Sequence, residues 1–169
     1  LYPGNVAYNS PMALRFSGRF NAEALEWSWN QVVRRHDLLR TVFEMRNGEP
    51  VQYATSFRPG TLRKVDFFNL PESERMEAAC RQAVREAQQA IDLASGSPWR
   101  VQLLTCSERE HIFVVILHHI ICDGWSIGVL IRELVTGYEA FVSGHSAPLP
   151  RPTIQYAHFA AAQPQQLAN

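Results

Sequence analysis

His111-Ile112-Phe113-Val114-Val115-Ile116-Leu117-His118-His119-Ile120-Ile121-Cys122-Asp123-Gly124 is the stretch on which the reading of this chain turns. Its first half is apolar and rich in β-branched residues, the pattern of a strand buried on both faces. Trp125 to Ser143, which follows, reads as a helix. Two adjacent imidazoles are therefore delivered at the C-terminal end of an inner strand, just ahead of a helix N-terminus. In proteins built of sheet and helices, that is where ligand crevices open.

Outward from this stretch, Trp99 to Cys106 reads as a second strand, joined to the first by the charged turn Ser107-Glu108-Arg109-Glu110, so the two should pair antiparallel. Met12 to Ser17 is an earlier strand closed by Gly18. Asn21 then caps a helix that runs to about His36, with Leu25, Trp29 and Val32 or Val33 on one face. Leu39 to Met45 and Val51 to Ala54 flank Asn47-Gly48, a tight-turn signal, and form a hairpin. Leu62 to Phe67 is a further short strand. Pro71-Glu72-Ser73-Glu74 opens a second helix, with Met76, Cys80, Ala83 or Val84, Ala87 and Ile91 as its inner stripe and Arg75, Arg81, Arg85, Glu86 and Gln88 in water. Leu130, Leu134, Tyr138 and Phe141 mark the inner face of the third helix. Ala147 to Pro152 is a stiff proline-rich linker. Hairpins mixed with alternating helices fit an α/β fold, a mixed sheet flanked by helices, better than a purely parallel sheet.

At 169 residues the chain suits one domain that buries roughly 70% of its unfolded surface. Sixteen basic and sixteen acidic residues cancel, which gives no electrostatic reason to expect a nucleic-acid or membrane partner. The longest apolar run is far shorter than a bilayer span. Cys80, Cys106 and Cys122 are widely spaced without a CxxC pair, as expected of reduced residues in a cytoplasmic protein.

Each residue of the turn has a chemical use. Histidine exchanges a proton near neutral pH, its reference pKa being about 6.5. Asp123, if buried, needs a partner, and Gly124 allows positive φ or close approach of a ligand. A satisfied structural histidine and a metal ligand are the competing readings. Neighbours on a strand face opposite ways, which disfavours His118 and His119 sharing one ion. A second charged cluster, Arg34-Arg35-His36-Asp37-Leu38-Leu39-Arg40-Thr41-Val42-Phe43, lies where a helix gives way to a strand. Arg34 suits a helix C-terminus. Arg40 interrupts an apolar run and calls for a carboxylate, for which Asp123 is the natural candidate.

Together these residues resemble the condensation domains of nonribosomal peptide synthetases. His118 to Ser126 matches the whole of that family's His-His-x-x-x-Asp-Gly-x-Ser pattern. Arg35 to Phe43 matches Arg-His-Glu-x-Leu-Arg-Thr-x-Phe, with Asp37 in place of Glu. Ala7-Tyr8-Asn9-Ser10-Pro11, Ile91-Asp92-Leu93 ahead of Pro98-Trp99-Arg100, and Pro152-Thr153-Ile154-Gln155-Tyr156-Ala157 follow in family order.

The resemblance implies a chloramphenicol-acetyltransferase-like lobe. It also implies peptide-bond formation between aminoacyl or peptidyl thioesters held on the phosphopantetheine arms of donor and acceptor carrier domains, with no cofactor or metal bound to the lobe itself. By the match, His119 is the catalytic residue, Asp123 pairs with Arg35 as a support for the fold, His118 and Gly124 shape the turn, and Arg40 is structural. An epimerisation domain, which shares the turn, and a non-catalytic carrier-docking lobe are the alternatives. Family members are about twice this length and have two lobes. Residues 1–150 therefore correspond to the N-terminal lobe, and 151–169 to the start of the connection to a C-terminal lobe absent from this chain, without which the lobe is expected to be inactive or nearly so. Cys122 is given no function.

Overall fold

The apolar run becomes β6 (Glu110–His118), which is hydrogen-bonded along both edges. In this computed structural model, which describes residues 4–145, 149 and 152–167, β6 lies between β1 (Asn9–Ser17) and β5 (Trp99–Ser107), antiparallel to both. β4 (Arg63–Asp66) adds to the far side of β5 in parallel, giving the order β1-β6-β5-β4. β2 (Thr41–Arg46) and β3 (Glu49–Ala54) form a separate two-stranded hairpin. Asn47 and Gly48 both have positive φ, 53° and 84°, as the expected tight turn requires. The sheet is mixed and carries helices on both faces, an α/β architecture as its pattern of hairpins and helices suggested.

Alternation along β6 sorts its buried residues between two layers. Phe113 faces α1 (Ala22–Arg35), whose Trp29 meets it edge-on at 5.9 Å between ring centres and meets Trp99 at 4.9 Å. α3 (Gly124–Val142) packs beside α1 on this face. The opposite face is covered by α2 (Glu72–Ala87), whose Gln82 side chain reaches Gln102 of β5. Asn21 caps α1 as read from the sequence, accepting from the backbone N–H groups of Glu23 and Ala24 at 3.0 Å.

Gly137 sets how closely α1 and α3 approach. A Cβ there would sit 3.2 Å from both Cβ and Oγ of Ser28, which is fully buried. Gly137→Leu should therefore force the helices apart and cost about 1–3 kcal/mol, read as a lower denaturant midpoint at unchanged slope.

Three features of the sequence reading are corrected. The segment ahead of β2 is a single tight turn, Asp37–Arg40, and the strand starts only at Thr41. Its geometry is local: the Thr41 hydroxyl donates to the Asp37 carbonyl at 2.9 Å, and the Leu39 N–H to that of His36 at 3.1 Å. On α2, Cys80 is exposed and Glu86 is buried, the reverse of expectation. Glu86 can be inside because Arg63 lies 3.2 Å and Arg100 3.6 Å from its carboxylate. Finally, α2 stops at Ala87, four residues short of Ile91. The carbonyls at and just beyond its end are taken up by strand side chains: Asn9 donates to those of Ala87 and Gln89, at 2.7 and 2.8 Å, and Arg100 to those of Glu86 and Ala90, both at 2.8 Å.

The expected proline linker at 147–152 lies outside the described residues apart from Leu149 and Pro152. Beyond it, α4 (Tyr156–Leu167) begins just after Gln155, whose amide donates to the Arg35 carbonyl at 2.9 Å and accepts from the Asp37 N–H at 3.2 Å. No helix among the described residues is long and apolar enough to cross a membrane.

Candidate active site

β6 ends at His118, and one tight turn, His119–Ile121, carries the chain to α3. The strand end is held from both sides. The His118 N–H donates to the Pro98 carbonyl at 2.9 Å, and the His119 N–H to the Tyr8 carbonyl at 2.8 Å. The two imidazoles then part company. That of His118 is buried against the Tyr8 ring, 5.9 Å between centres, and its Nδ1 accepts from the Ile120 N–H at 3.1 Å. That of His119 is exposed, with Nδ1 2.7 Å from the Cys122 carbonyl oxygen. A carbonyl can only accept, so Nδ1 of neutral His119 carries the proton. Nε2 is left as a lone-pair acceptor, without a partner among the described residues. This backbone contact gives His119 the tautomer of a proton acceptor.

Burial, and secondarily the charge of neighbouring His119, lower the pKa of His118 from its ordinary value. In the unfolded chain that value is about 6.5, so at pH below it the unfolded state binds the extra proton and the folded state resists it. The resulting stabilisation is complete above about pH 6.5 and is lost as pH falls toward the lowered folded pKa. His118→Gln keeps an acceptor for Ile120. Its denaturation midpoint should fall less than that of the wild type between pH 7.5 and 5.5; parallel curves would contradict this.

Asp123 is placed differently from expectation. It is solvent-exposed and paired with neither Arg35 nor Arg40. It caps α3 through a reciprocal box: Asp123 accepts from the Ser126 N–H at 2.8 Å, and the Asp123 N–H donates to Ser126 Oγ at 2.7 Å. The Ser126 hydroxyl, which donates to the Asp123 carboxylate at 2.7 Å, and then the Ser126 N–H hold that carboxyl below the usual aspartate range. Gly124, the first residue of α3, has no positive φ, and a Cβ on it would meet nothing within 4 Å. Neither backbone strain nor crowding within this chain demands glycine there.

The carboxylate that Arg35 needs comes from the middle of α3. Glu133 is buried and accepts from Arg35 Nε at 3.0 Å, with His36 Nε2 2.7 Å from its other oxygen. Arg40 meets the Asp37 carboxylate and the Thr55 carbonyl nearby, while its buried Nε has no acceptor among the described residues. Arg35, His36, Asp37 and Arg40 thus form one joint against the middle of α3, whose N-terminus carries the histidine turn. Glu133 escaped the sequence reading, although a signal existed. It lies among Leu130, Leu134, Gly137 and Ala140, the buried stripe of α3 at helical spacing.

Three large apolar side chains on the elements that build this turn are exposed: Tyr8, whose carbonyl holds the His119 N–H, Ile120, and Trp125, the last 82% accessible. Two clefts, of about 410 and 630 Å³, lie toward the Arg35–Arg40 joint, and His119 lines neither. No group of three or more metal-ligating side chains converges among the described residues.

Against known proteins, residues 1–169 match the family model of the condensation domain. The chain is 38% identical over 162 residues to chondramide synthase cmdD of Chondromyces crocatus, a match that takes in 96% of this chain and 4% of the synthase. It is also 38% identical over 169 residues to phosphinothricin tripeptide synthetase PhsB of Streptomyces viridochromogenes, a match that takes in the whole of this chain and 14% of the synthetase. Among solved structures, the X-domain from teicoplanin biosynthesis is similar at 30% identity and a TM-score of 0.82, over 95% of this chain and 34% of that one. The starter condensation domain of rhizomide synthetase superposes with a TM-score of 0.87 over 99% of this chain and 40% of that one. At 18% identity it speaks to the fold alone.

Proposed function

This chain belongs to the condensation-domain family, and from that premise we propose that it is the His119-bearing lobe of an amide-forming acyltransferase in nonribosomal peptide synthesis. Residues 1–150 make up that lobe, and 151–169 begin the connection to a second lobe. Donor and acceptor carrier domains present their thioesters on phosphopantetheine arms, and the acceptor α-amine attacks the donor carbonyl beside His119. Nε2 receives the proton that the amine must shed as the amide forms and the donor thiol departs. His118 and Asp123 act on the backbone, one by bonding the first turn after β6 and the other by starting α3, so that the His119 ring is held at the strand end.

The observation that carries this reading is the exposed His119 ring with Nδ1 engaged by the Cys122 carbonyl. Its setting supports the same role. The exposure of Tyr8, Ile120 and Trp125 on the elements around the turn suits a site completed by a second lobe, and the isolated lobe should be nearly inactive. The test is a two-lobe domain carrying this sequence, supplied with a donor-loaded and an acceptor-loaded carrier. The reading requires the acceptor carrier to gain the donor acyl group as an amide. Carrier binding without amide formation would favour a docking lobe, and inversion of the donor α-carbon without transfer would favour an epimerase.

A further inference from the structure

The smaller cleft combines features that the amide-forming chemistry leaves unused. Its floor is apolar, from Val33, Leu39 and Trp99, and its rim carries Arg40, Arg58 and the hydroxyl of Ser97. Arg58 has no ion pair or hydrogen bond among the described residues. Arg40 is bound by Asp37 and the Thr55 carbonyl, yet its buried Nε has no acceptor among the described residues. The rim therefore offers, at Arg58, an exposed guanidinium without a counter-charge among the described residues.

The position of the cleft connects it with the histidine turn. Ser97 and Trp99 on its wall bracket Pro98, whose carbonyl holds the His118 N–H, and Trp99 lies opposite Leu117 in the sheet. The cleft wall is thus built at the start of β5, which pairs with the end of β6 that delivers His119. A volume of about 410 Å³ is within the usual range for small-molecule sites.

We infer that this cleft is a side-chain subsite that selects an acyl group ending in a carboxylate on a short hydrocarbon stem. The stem lies on Val33, Leu39 and Trp99, and the carboxylate meets Arg58 at the rim. Guanidinium suits this partner because its planar fork matches a carboxylate in two parallel hydrogen bonds. The inference rests on the proposed acyl-transfer role and adds the class of substrate.

The test is equilibrium binding to the 169-residue chain, followed by amide-resolved NMR. The probes are the N-acetylcysteamine thioester of glutaric acid and the same thioester as its uncharged monomethyl ester. The acid should bind at least about tenfold more tightly, with shifts at Ser56, Gly96 and Ser97, and Arg58→Gln should erase that preference while leaving the rest of the spectrum in place. Equal affinities, no binding of the acid, shifts confined elsewhere, or a preference that survives Arg58→Gln would each overturn it. Binding is read without turnover. A failed amide-forming assay with loaded carriers would leave a measured acid preference standing, and the loss of that preference would leave the assay standing.

Discussion

Glu133→Ala is expected to lower the unfolding free energy by about 3–5 kcal/mol, the usual result of removing one member of a buried ion pair. Few substitutions approach this size, and a domain has only about 5–15 kcal/mol in total. The side chain links α1 to α3, since its two oxygens meet Arg35 and His36 at the end of α1. Without it, the largely buried guanidinium of Arg35 loses its counter-charge. Glu133→Gln should cost less, because an amide oxygen still accepts from one partner. Replacing both sides, Glu133→Leu with Arg35→Met, should recover much of the loss, since no unpaired charge remains. Urea denaturation of the four proteins checks this. A Glu133→Ala variant within about 1 kcal/mol of wild type would mean that the pair contributes nothing to holding α1 on α3.

That result also separates two acids that the sequence makes easy to confuse. Asp123 stands inside the histidine motif, and its nearness in sequence to His119 made it the obvious partner for Arg35 or Arg40. Its own spacing pointed elsewhere: Asp123-Gly124-Trp125-Ser126 places a capping residue three ahead of a second side chain able to answer it. Arg40 likewise found its acid three residues away, at Asp37. Local patterns of this kind were read correctly in β6, the Asn47-Gly48 hairpin and the Asn21 cap, and missed in the Asp37–Arg40 turn and the Asp123 cap.

What sequence reading missed are charges placed on buried helical stripes, which look like errors of amphipathic pattern until their partners are known. Glu133 follows Leu130 by three, and Glu86 follows Ala79 by seven, so each falls on its helix's inner face. Their guanidinium partners come from other elements: Arg35 from α1, Arg63 from β4 and Arg100 from β5. Only the fold brings such residues together. The same holds for Pro98 and Tyr8, whose backbone carbonyls fix the histidine turn and which carry no chemical signature of their own.

His119→Ala in a complete two-lobe domain is expected to slow amide formation by about 10²–10⁴, or roughly 3–5 kcal/mol of barrier. The range follows from what the reaction needs. An α-amine has a pKa near 7.7–8, so a useful fraction is already neutral at physiological pH, and His119 need not generate the nucleophile alone. After attack the nitrogen carries a positive charge and is far more acidic, and a base within hydrogen-bond reach must take its proton before the amide can form. In His119 that base is Nε2, kept free by the bond from Nδ1 to the Cys122 carbonyl. His119→Gln distinguishes proton transfer from mere positioning. Its amide can still donate to the Cys122 carbonyl, but it cannot accept a proton near neutral pH. If His119 is a base, the glutamine variant should be as slow as alanine while carrier affinity stays within about twofold of wild type. If glutamine instead restores most of the rate, His119 works by placing the amine, and the proton leaves to water.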